Sequence, residues 1–347
     1  MLKTISSHKF AVSVAALAAF FAFSAINPAC AAERKSIRWA TSSTGSYGYK
    51  VAAQMIRVLE EALGGEYTVT VNPYPSTTGA MKATMDGGAE IGYTADVGMT
   101  EVYEGTGGFK GYKAAKSNLV HTWYAYPMES FMAVHASKAG QFKSWKDFSG
   151  KPVFFTPAGY MNWLNFYRIF KALGYKFNHV QIGTEAQGDA LQAGTIVGAV
   201  AYTTAGASLA SYWRETELRT DIKLVNPSPD EVKKLIAADL APVEVDATKA
   251  FSKDVGVKTV LGVPILFGYN VRADMPEDVV YKMLSSFYKE RNNLVKADPG
   301  FGPMARDFVG MQVTGIKANP TIPVHAGLAK VLKEHKAWND KWTIAGK

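Results

Sequence analysis

Apolar positions along this chain switch repeatedly between a period of two and a period near four. Ser36–Thr41 (SIRWAT) reads as a strand. From Tyr49 to Leu63, Val51, Met55, Leu59 and Leu63 recur at four-residue spacing, the stripe of an amphipathic helix that Gly64-Gly65 ends. Tyr67–Val71 (YTVTV) alternates as a strand should. Pro73 and Pro75 then lead through Ser76-Thr77-Thr78-Gly79 into a short helix, Ala80–Asp86, stopped by Gly87-Gly88. Glu90–Tyr93 makes a third strand before Thr94-Ala95-Asp96 opens another helix. Three times a strand runs into a Gly-, Ser- or Thr-rich loop that starts a helix, which is the βαβ rhythm of a parallel sheet.

The rhythm restarts after an uninterrupted strand at Ser130–His135. Val153–Phe155, the loop Thr156-Pro157-Ala158-Gly159 and a helix over Tyr160–Leu173 form the next unit. A strand at His179–Ile182, a helix at Glu185–Ala193, a strand at Gly198–Tyr202 and a helix at Ala207–Thr216 follow. Ile222–Val225 is a further strand, and Pro227-Ser228-Pro229-Asp230 caps the helix after it. Val257–Tyr269 is long and β-rich, with Pro264 marking it as an edge or crossing strand. Pro276-Glu277-Asp278 starts a helix that runs to about Val295, and His325–Trp338 is helical. Two βα series with a return segment predict two α/β lobes, joined where the chain crosses near Met128–Ser130 and again near Gly262–Phe267.

The N-terminus breaks this pattern. Lys3, His8 and Lys9 precede an uncharged apolar run of sixteen residues, Ala11–Ile26, and then Asn27-Pro28-Ala29-Cys30-Ala31-Ala32. Basic start, short apolar core and small residues at the end predict a signal peptide over residues 1–32, cleaved after Ala31 or Ala32. The run is shorter than the roughly 20 residues that cross a bilayer. Cleavage would remove Cys30, the single cysteine, leaving no disulfide and no thiolate chemistry. It would also lower the formal charge from +8 to +6 by taking Lys3 and Lys9. The positive charges are scattered, which argues against nucleic acid as a partner. With 48% hydrophobic residues in 347, the chain has ample material for the cores of two domains.

Signatures of catalysis are missing: there is no G-x-S-x-G, no H-E-x-x-H and no paired histidine spacing. His121, His135, His179, His325 and His335 stand alone and read as surface or core residues. Gly105-Thr106-Gly107-Gly108-Phe109-Lys110 lacks the G-K-[ST] ending of a phosphate loop. Ser43-Thr44-Gly45-Ser46 is different. It lies at a helix start, where free N–H groups and the helix dipole favour an anion, and where Thr44 or Ser46 would equally serve as a cap. Thr77–Gly79 and Pro157–Gly159 repeat the arrangement, and in open parallel sheets such helix starts gather at the ligand-binding edge. Asp96 reads either as a cap and dipole partner or as an acceptor for a ligand hydroxyl or amine.

Together these residues resemble the TAXI solute receptors (TRAP-associated extracytoplasmic immunogenic proteins) of tripartite ATP-independent periplasmic transporters, over essentially the whole mature chain. Thr44-Gly45-Ser46-Tyr47 matches the family's first loop, Thr77-Thr78-Gly79-Ala80 its second turn, and Asp96 its acidic residue after the third strand, followed by Gly105–Phe109. Pro127-Met128-Glu129 resembles its Pro-Glu hinge element, with the glutamate offset by one. Asp278-Val279-Val280-Tyr281 and Ile322-Pro323-Val324-His325-Ala326-Gly327 match near the C-terminus. Two departures fall on the ligand side. Ala158-Gly159-Tyr160-Met161-Asn162-Trp163 stands where the family carries Gly-Ser-Gly-Thr, and Thr94-Ala95 replaces Gln-Ser. Tyr160 and Trp163 would narrow the cleft, stack on an unsaturated ligand, or simply pack their helix.

The resemblance implies an α/β two-lobed periplasmic binding protein fold of type II. One lobe would comprise residues 33–129 and 265–347 and the other 130–264, with the ligand cleft between them. It implies a periplasmic receptor without cofactor or metal that captures a small organic anion, a carboxylate, and delivers it to the small and large membrane subunits of a TRAP transporter. The expected contacts are Thr44, Gly45, Ser46, Tyr47, Thr78, Gly79 and Thr94 from one lobe, with Gly159, Tyr160, Tyr202 and Thr203 from the other. The alternatives are a receptor of the same fold for an ABC importer of sulfonates or thiamin precursors, a receptor that signals to a sensor, and a secreted enzyme on this fold.

Overall fold

The strands β1 (Lys35–Thr41), β2 (Tyr67–Pro73) and β3 (Ile91–Ala95) carry the first alternating segments and pair in parallel, with β1 in the middle. This is a computed structural model that describes residues 34–346, which cluster as one compact unit. The signal segment expected over residues 1–32 lies outside the described residues. Between the strands run the helices α1 (Tyr47–Ala62) and α2 (Thr77–Met85), and α3 (Asp96–Glu104) follows β3. The apolar stripe of α1 is buried as predicted, at Val51, Met55 and Leu59. Caps set the starts. Ser46 accepts from the Tyr49 amide (3.2 Å) and Ser76 from the Gly79 amide (3.0 Å), so α2 begins three residues before the predicted Ala80.

The next elements are β4 (Leu119–Val120), β5 (Tyr124–His135), β6 (Val153–Phe154), α4 (Met161–Leu173), α5 (Gln187–Ala193), β7 (Gly198–Thr204), α6 (Ser211–Arg219), β8 (Ile222–Val225), α7 (Pro229–Ala237), β9 (Val243–Asp246), α8 (Ala247–Ala250) and β10 (Thr259–Arg272). The chain closes with α9 (Glu277–Ala297), α10 (Gly302–Arg306), α11 (Phe308–Ala318) and α12 (Ala326–Glu334). One sheet runs β2-β1-β3-β10-β5-β7-β6, with β4 and β9 also on β10 and β8 on β5.

β5 and β10 are the two crossing strands, and they pair antiparallel along the crossing itself: Ser130 opposite Val263, Glu129 opposite Pro264, Met128 opposite Ile265. Pro264 is therefore in an interior strand, where the sequence allows an edge or a crossing. On its other side β10 pairs with β9 up to Gly262 and with β3 from Phe267, so residues 263–266 have an open edge that tolerates a missing N–H.

Other predicted elements differ as well, and β5 begins at Tyr124 rather than at the predicted Ser130. Residues 179–182 form only an isolated bridge, His179 to Val153, because β6 is two residues long and the segment packs through Phe177 on Phe155 (4.0 Å) instead. α6 starts four residues after the predicted Ala207. A turn with Ala205 at φ 53° bridges Thr204 to Ser208 before the helix can begin. The isolated histidines His121 and His325 are core residues with protein partners: His121 meets the Tyr124 hydroxyl (2.9 Å) and the Asn319 carbonyl (2.9 Å), and His325 the Met275 carbonyl (3.0 Å). No helix among the described residues is long and apolar enough to cross a membrane.

Glu129 sits at the crossing, 4% exposed, and accepts from Thr203 Oγ1 (2.7 Å) and the Gly206 amide (3.0 Å). Burial raises its carboxyl from 4.5 to about 7 against the pull of these bonds. A carboxyl that holds its proton more tightly folded than unfolded loses folding free energy as pH rises from about 4.5 to 7. Glu129→Gln should therefore melt above wild type at pH 8, the gap closing near pH 4.5, in thermal unfolding followed at both pH values.

Candidate functional site

Three helix starts converge between the lobe built on β1–β3 and the lobe built on β6 and β7. The small cavity they enclose is lined by Ser42, Ser46, Tyr47, Thr77, Tyr93, Met128, Tyr160, Met161, Asn162, Tyr202 and Phe267. Ser46 and Tyr47 belong to the start of α1, Thr77 to α2, and Tyr160, Met161 and Asn162 to α4. Met128 and Phe267 come from β5 and β10 at the crossing. Its volume is about 10 Å³, the space of one water, so the two walls stand nearly in contact.

The wall chemistry is that of donors. Ser46 and Ser76 cap α1 and α2, but α4, with Tyr160 at its cap position, has no side-chain cap among the described residues, so its first-turn amides are open to a ligand oxygen. Tyr202 accepts from the Tyr212 hydroxyl (2.6 Å), and Tyr93 from the Tyr126 hydroxyl (3.4 Å), so each keeps its own proton to give. Burial holds the Tyr93 and Tyr202 phenols above their ordinary range, and both stay protonated donors at neutral pH. Asn162 is 3% exposed, and its amide nitrogen meets only the Met128 sulfur (3.9 Å), a weak acceptor. None of the lining residues is Lys, Arg, His, Asp or Glu.

The walls touch directly. Ser43 Oγ and the Tyr160 hydroxyl lie 2.5 Å apart, and Gly159 accepts from the Thr78 amide (3.1 Å) and Thr78 Oγ1 (3.2 Å). Gly159 has φ 89°, and a Cβ there would come within 2.9 Å of Ser76, so only glycine permits this approach. Outside the contact lies a wider groove of about 540 Å³ between α2, the end of α3 and α4.

Behind the cavity, Asp298 gathers the two walls. Its Oδ1 accepts from the hydroxyls of Tyr47 (2.7 Å) and Ser208 (2.7 Å) and from the Gly300 amide (2.9 Å), and its Oδ2 lies 2.8 Å from Lys50 Nζ. Despite burial, the bonds from Lys50, Tyr47 and Ser208 hold this carboxyl below its ordinary range. Gly300 passes so close to Tyr47 that a Cβ would strike its hydroxyl.

Of the residues expected from the sequence, Ser46, Tyr47, Tyr160 and Tyr202 line the cavity, and Thr78, Gly159 and again Tyr160 line the outer groove. Thr44 is exposed, and around Gly45 there is open space. Gly79 lies inside α2, its amide given to Ser76. Thr94 accepts from Asn270 (2.6 Å) and Thr203 donates to Glu129, so both hydroxyls are engaged within the sheet. Asp96 takes the stabilising role at the start of α3. It accepts from the Val97 amide (2.7 Å), and burial raises its carboxyl to about 6. Arg168, two turns into α4, lines a groove with Glu101. Sequence reasoning named Ser43, Thr77 and Asn162 only as members of the candidate loops and not as contacts, and it missed Ser42, Tyr93 and Asp298. A serine flanking the first loop was the one available local signal.

The profile of the NMT1-like family matches residues 39–335. No curated protein sequence matches the chain. Among solved structures it is similar to MatC from Rhodopseudomonas palustris with bound malate, at 12% identity and TM-score 0.55, covering 82% of this chain and 96% of that one. It is also similar to the periplasmic binding protein BugD, at 15% identity and TM-score 0.51, covering 88% and 98%. A third likeness is to a periplasmic transporter, at 15% identity and TM-score 0.51, covering 84% and 99%. These likenesses are to the fold, the two-lobed type II architecture of periplasmic binding proteins.

Removing the Asp298 carboxylate strands two buried hydroxyls and half-exposed Lys50. Asp298→Ala should cost about 2–4 kcal/mol in urea unfolding, whereas Thr44→Ala should stay within about 0.5 kcal/mol of wild type.

Proposed function

This chain belongs to the NMT1-like family, and on that premise we propose that it is a periplasmic receptor that captures a small carboxylate by lobe closure. The observation that carries this is the cavity between the lobes. Three helix starts and the Tyr93, Tyr202 and Asn162 donors converge on it, and no fixed charge lines it. Each helix start carries roughly half a positive charge, so together they favour an anion with acceptor oxygens. MatC, which shares the fold at low identity, is described with malate bound. The lining offers acceptors and donors but no group that titrates near neutral pH as an acid or base, which supports binding without chemistry.

The lobes would divide at 129/130 and 264/265, where β5 and β10 cross, and separate about that pair to admit solute. Cavity walls would then come from Ser46, Tyr47, Thr78, Gly159, Tyr160 and Tyr202. The TAXI motifs support delivery to the small and large membrane subunits of a TRAP transporter, with the signal segment directing the mature chain to the periplasm.

A thermal-shift screen over carboxylates, sulfonates, amino acids and neutral solutes tests the reading. A carboxylate at 100 times its Kd should add about 2.7 kcal/mol and raise Tm by several degrees. Tyr202→Phe should weaken that carboxylate about tenfold by removing one hydrogen bond to a charged group. Stabilisation by a neutral or cationic solute, with none from any carboxylate, would overturn the proposal.

A further inference from the structure

The outer groove is the larger compartment, and its chemistry differs from the cavity's. Its volume of about 540 Å³ lies in the range of small-molecule sites, roughly 300–1,000 Å³. One wall is aromatic. Trp163 and Tyr167, one turn apart on α4, have ring centroids 5.7 Å apart and planes 3° from parallel. Tyr167, which also lines the groove, is 43% exposed. Met161 and Leu164 extend the same surface. The Trp163 indole N–H is buried and has no acceptor among the described residues.

The opposite wall carries one charge of each sign, Lys82 and Glu101. Lys82 Nζ lies over the Phe109 and Tyr112 rings, at 5.5 and 5.2 Å from their centroids, and Glu101 accepts from the Gly108 amide (3.2 Å). Their charges cancel, so the groove gives a second carboxylate little net attraction, while the aromatic wall favours a flat apolar group. Cavity and groove share Tyr160 and Met161, and the Tyr160 hydroxyl lies 2.5 Å from Ser43 Oγ. A carboxylate at the shared Tyr160 would accept from both hydroxyls in place of their bond to each other.

We propose that the groove is the second half of the solute site and that the solute is an aromatic carboxylate, its acidic end in the cavity beside Tyr160 and its ring along Trp163 and Tyr167. This rests on the receptor reading above.

Isothermal titration of the mature chain with benzoate, phenylacetate and cinnamate, against succinate as the aliphatic control, tests it. At least one aromatic acid should bind ten times more tightly than succinate or better. Trp163→Ala should weaken that acid about tenfold and leave succinate within threefold. Tyr167→Ala, at a position 43% exposed, should weaken the aromatic acid in the same selective way. Succinate binding as tightly as every aromatic acid, or equal losses for both classes in the Tyr167 variant, would overturn the aromatic assignment and leave the receptor reading standing. No binding by any of the four, together with stabilisation by a neutral or cationic solute in the thermal screen, would overturn both.

Discussion

The antiparallel pairing of β5 with β10 is the constraint on which the remaining architecture hangs. Every other strand reaches the sheet through one of these two: β3, β4 and β9 through β10, β7 and β8 through β5, and the outer strands β1, β2 and β6 through those. Both strands pass from one lobe to the other, so a single ladder from Phe267–Tyr126 to Val263–Ser130 carries the connection. Its side chains have two duties. Met128 and Phe267 close the floor of the cavity while their backbones hold the lobes together. Glu129, on the same strand, reaches Thr203 and Gly206 and ties the turn after β7 to the crossing.

Asp298 adds a link that no strand supplies. Ser208 follows β7, Tyr47 and Lys50 lie on α1, and Asp298 follows α9, so one carboxylate joins three distant stretches of chain. The charge is tolerable in the interior because four donors surround it, and the Lys50 partner stays half in water. Tyr47 thereby becomes a fixed wall: its hydroxyl is turned to Asp298, and its ring stands edge-on to Tyr126 at 4.9 Å.

Much of the fold was legible because it is written locally. The four-residue stripe of α1, the YTVTV alternation and the Ser228 capping box each involve residues within a few positions of one another, and each formed where expected. The proline in β10 also carried its message, since the open edge beside Pro264 is what a crossing strand provides. Boundaries slipped where a competing cap or turn decided them, at Ser76 before α2 and at Ala205 before α6. The site was legible in outline, as helix starts that gather at one edge of a sheet. Its particulars depend on separations of more than a hundred residues: Ser43 with Tyr160, Tyr47 with Asp298, Thr94 with Asn270. Nothing near Thr94 or Thr203 signals that its hydroxyl is already taken, and nothing near Asn162 signals that its amide is left with only a thioether.

The missing cap at the start of α4 has a consequence for what kind of recognition this is. A helix without a capping side chain has incomplete bonding at its first turn, and any oxygen held there completes it. The solute would then finish a piece of secondary structure rather than pair with a counter-ion. Backbone amides act over a hydrogen-bond length, and their field fades within a turn of helix, so they discriminate by where oxygen atoms sit more than by total charge. Such a site is blind to an anion passing at a distance and exacting toward one already inside.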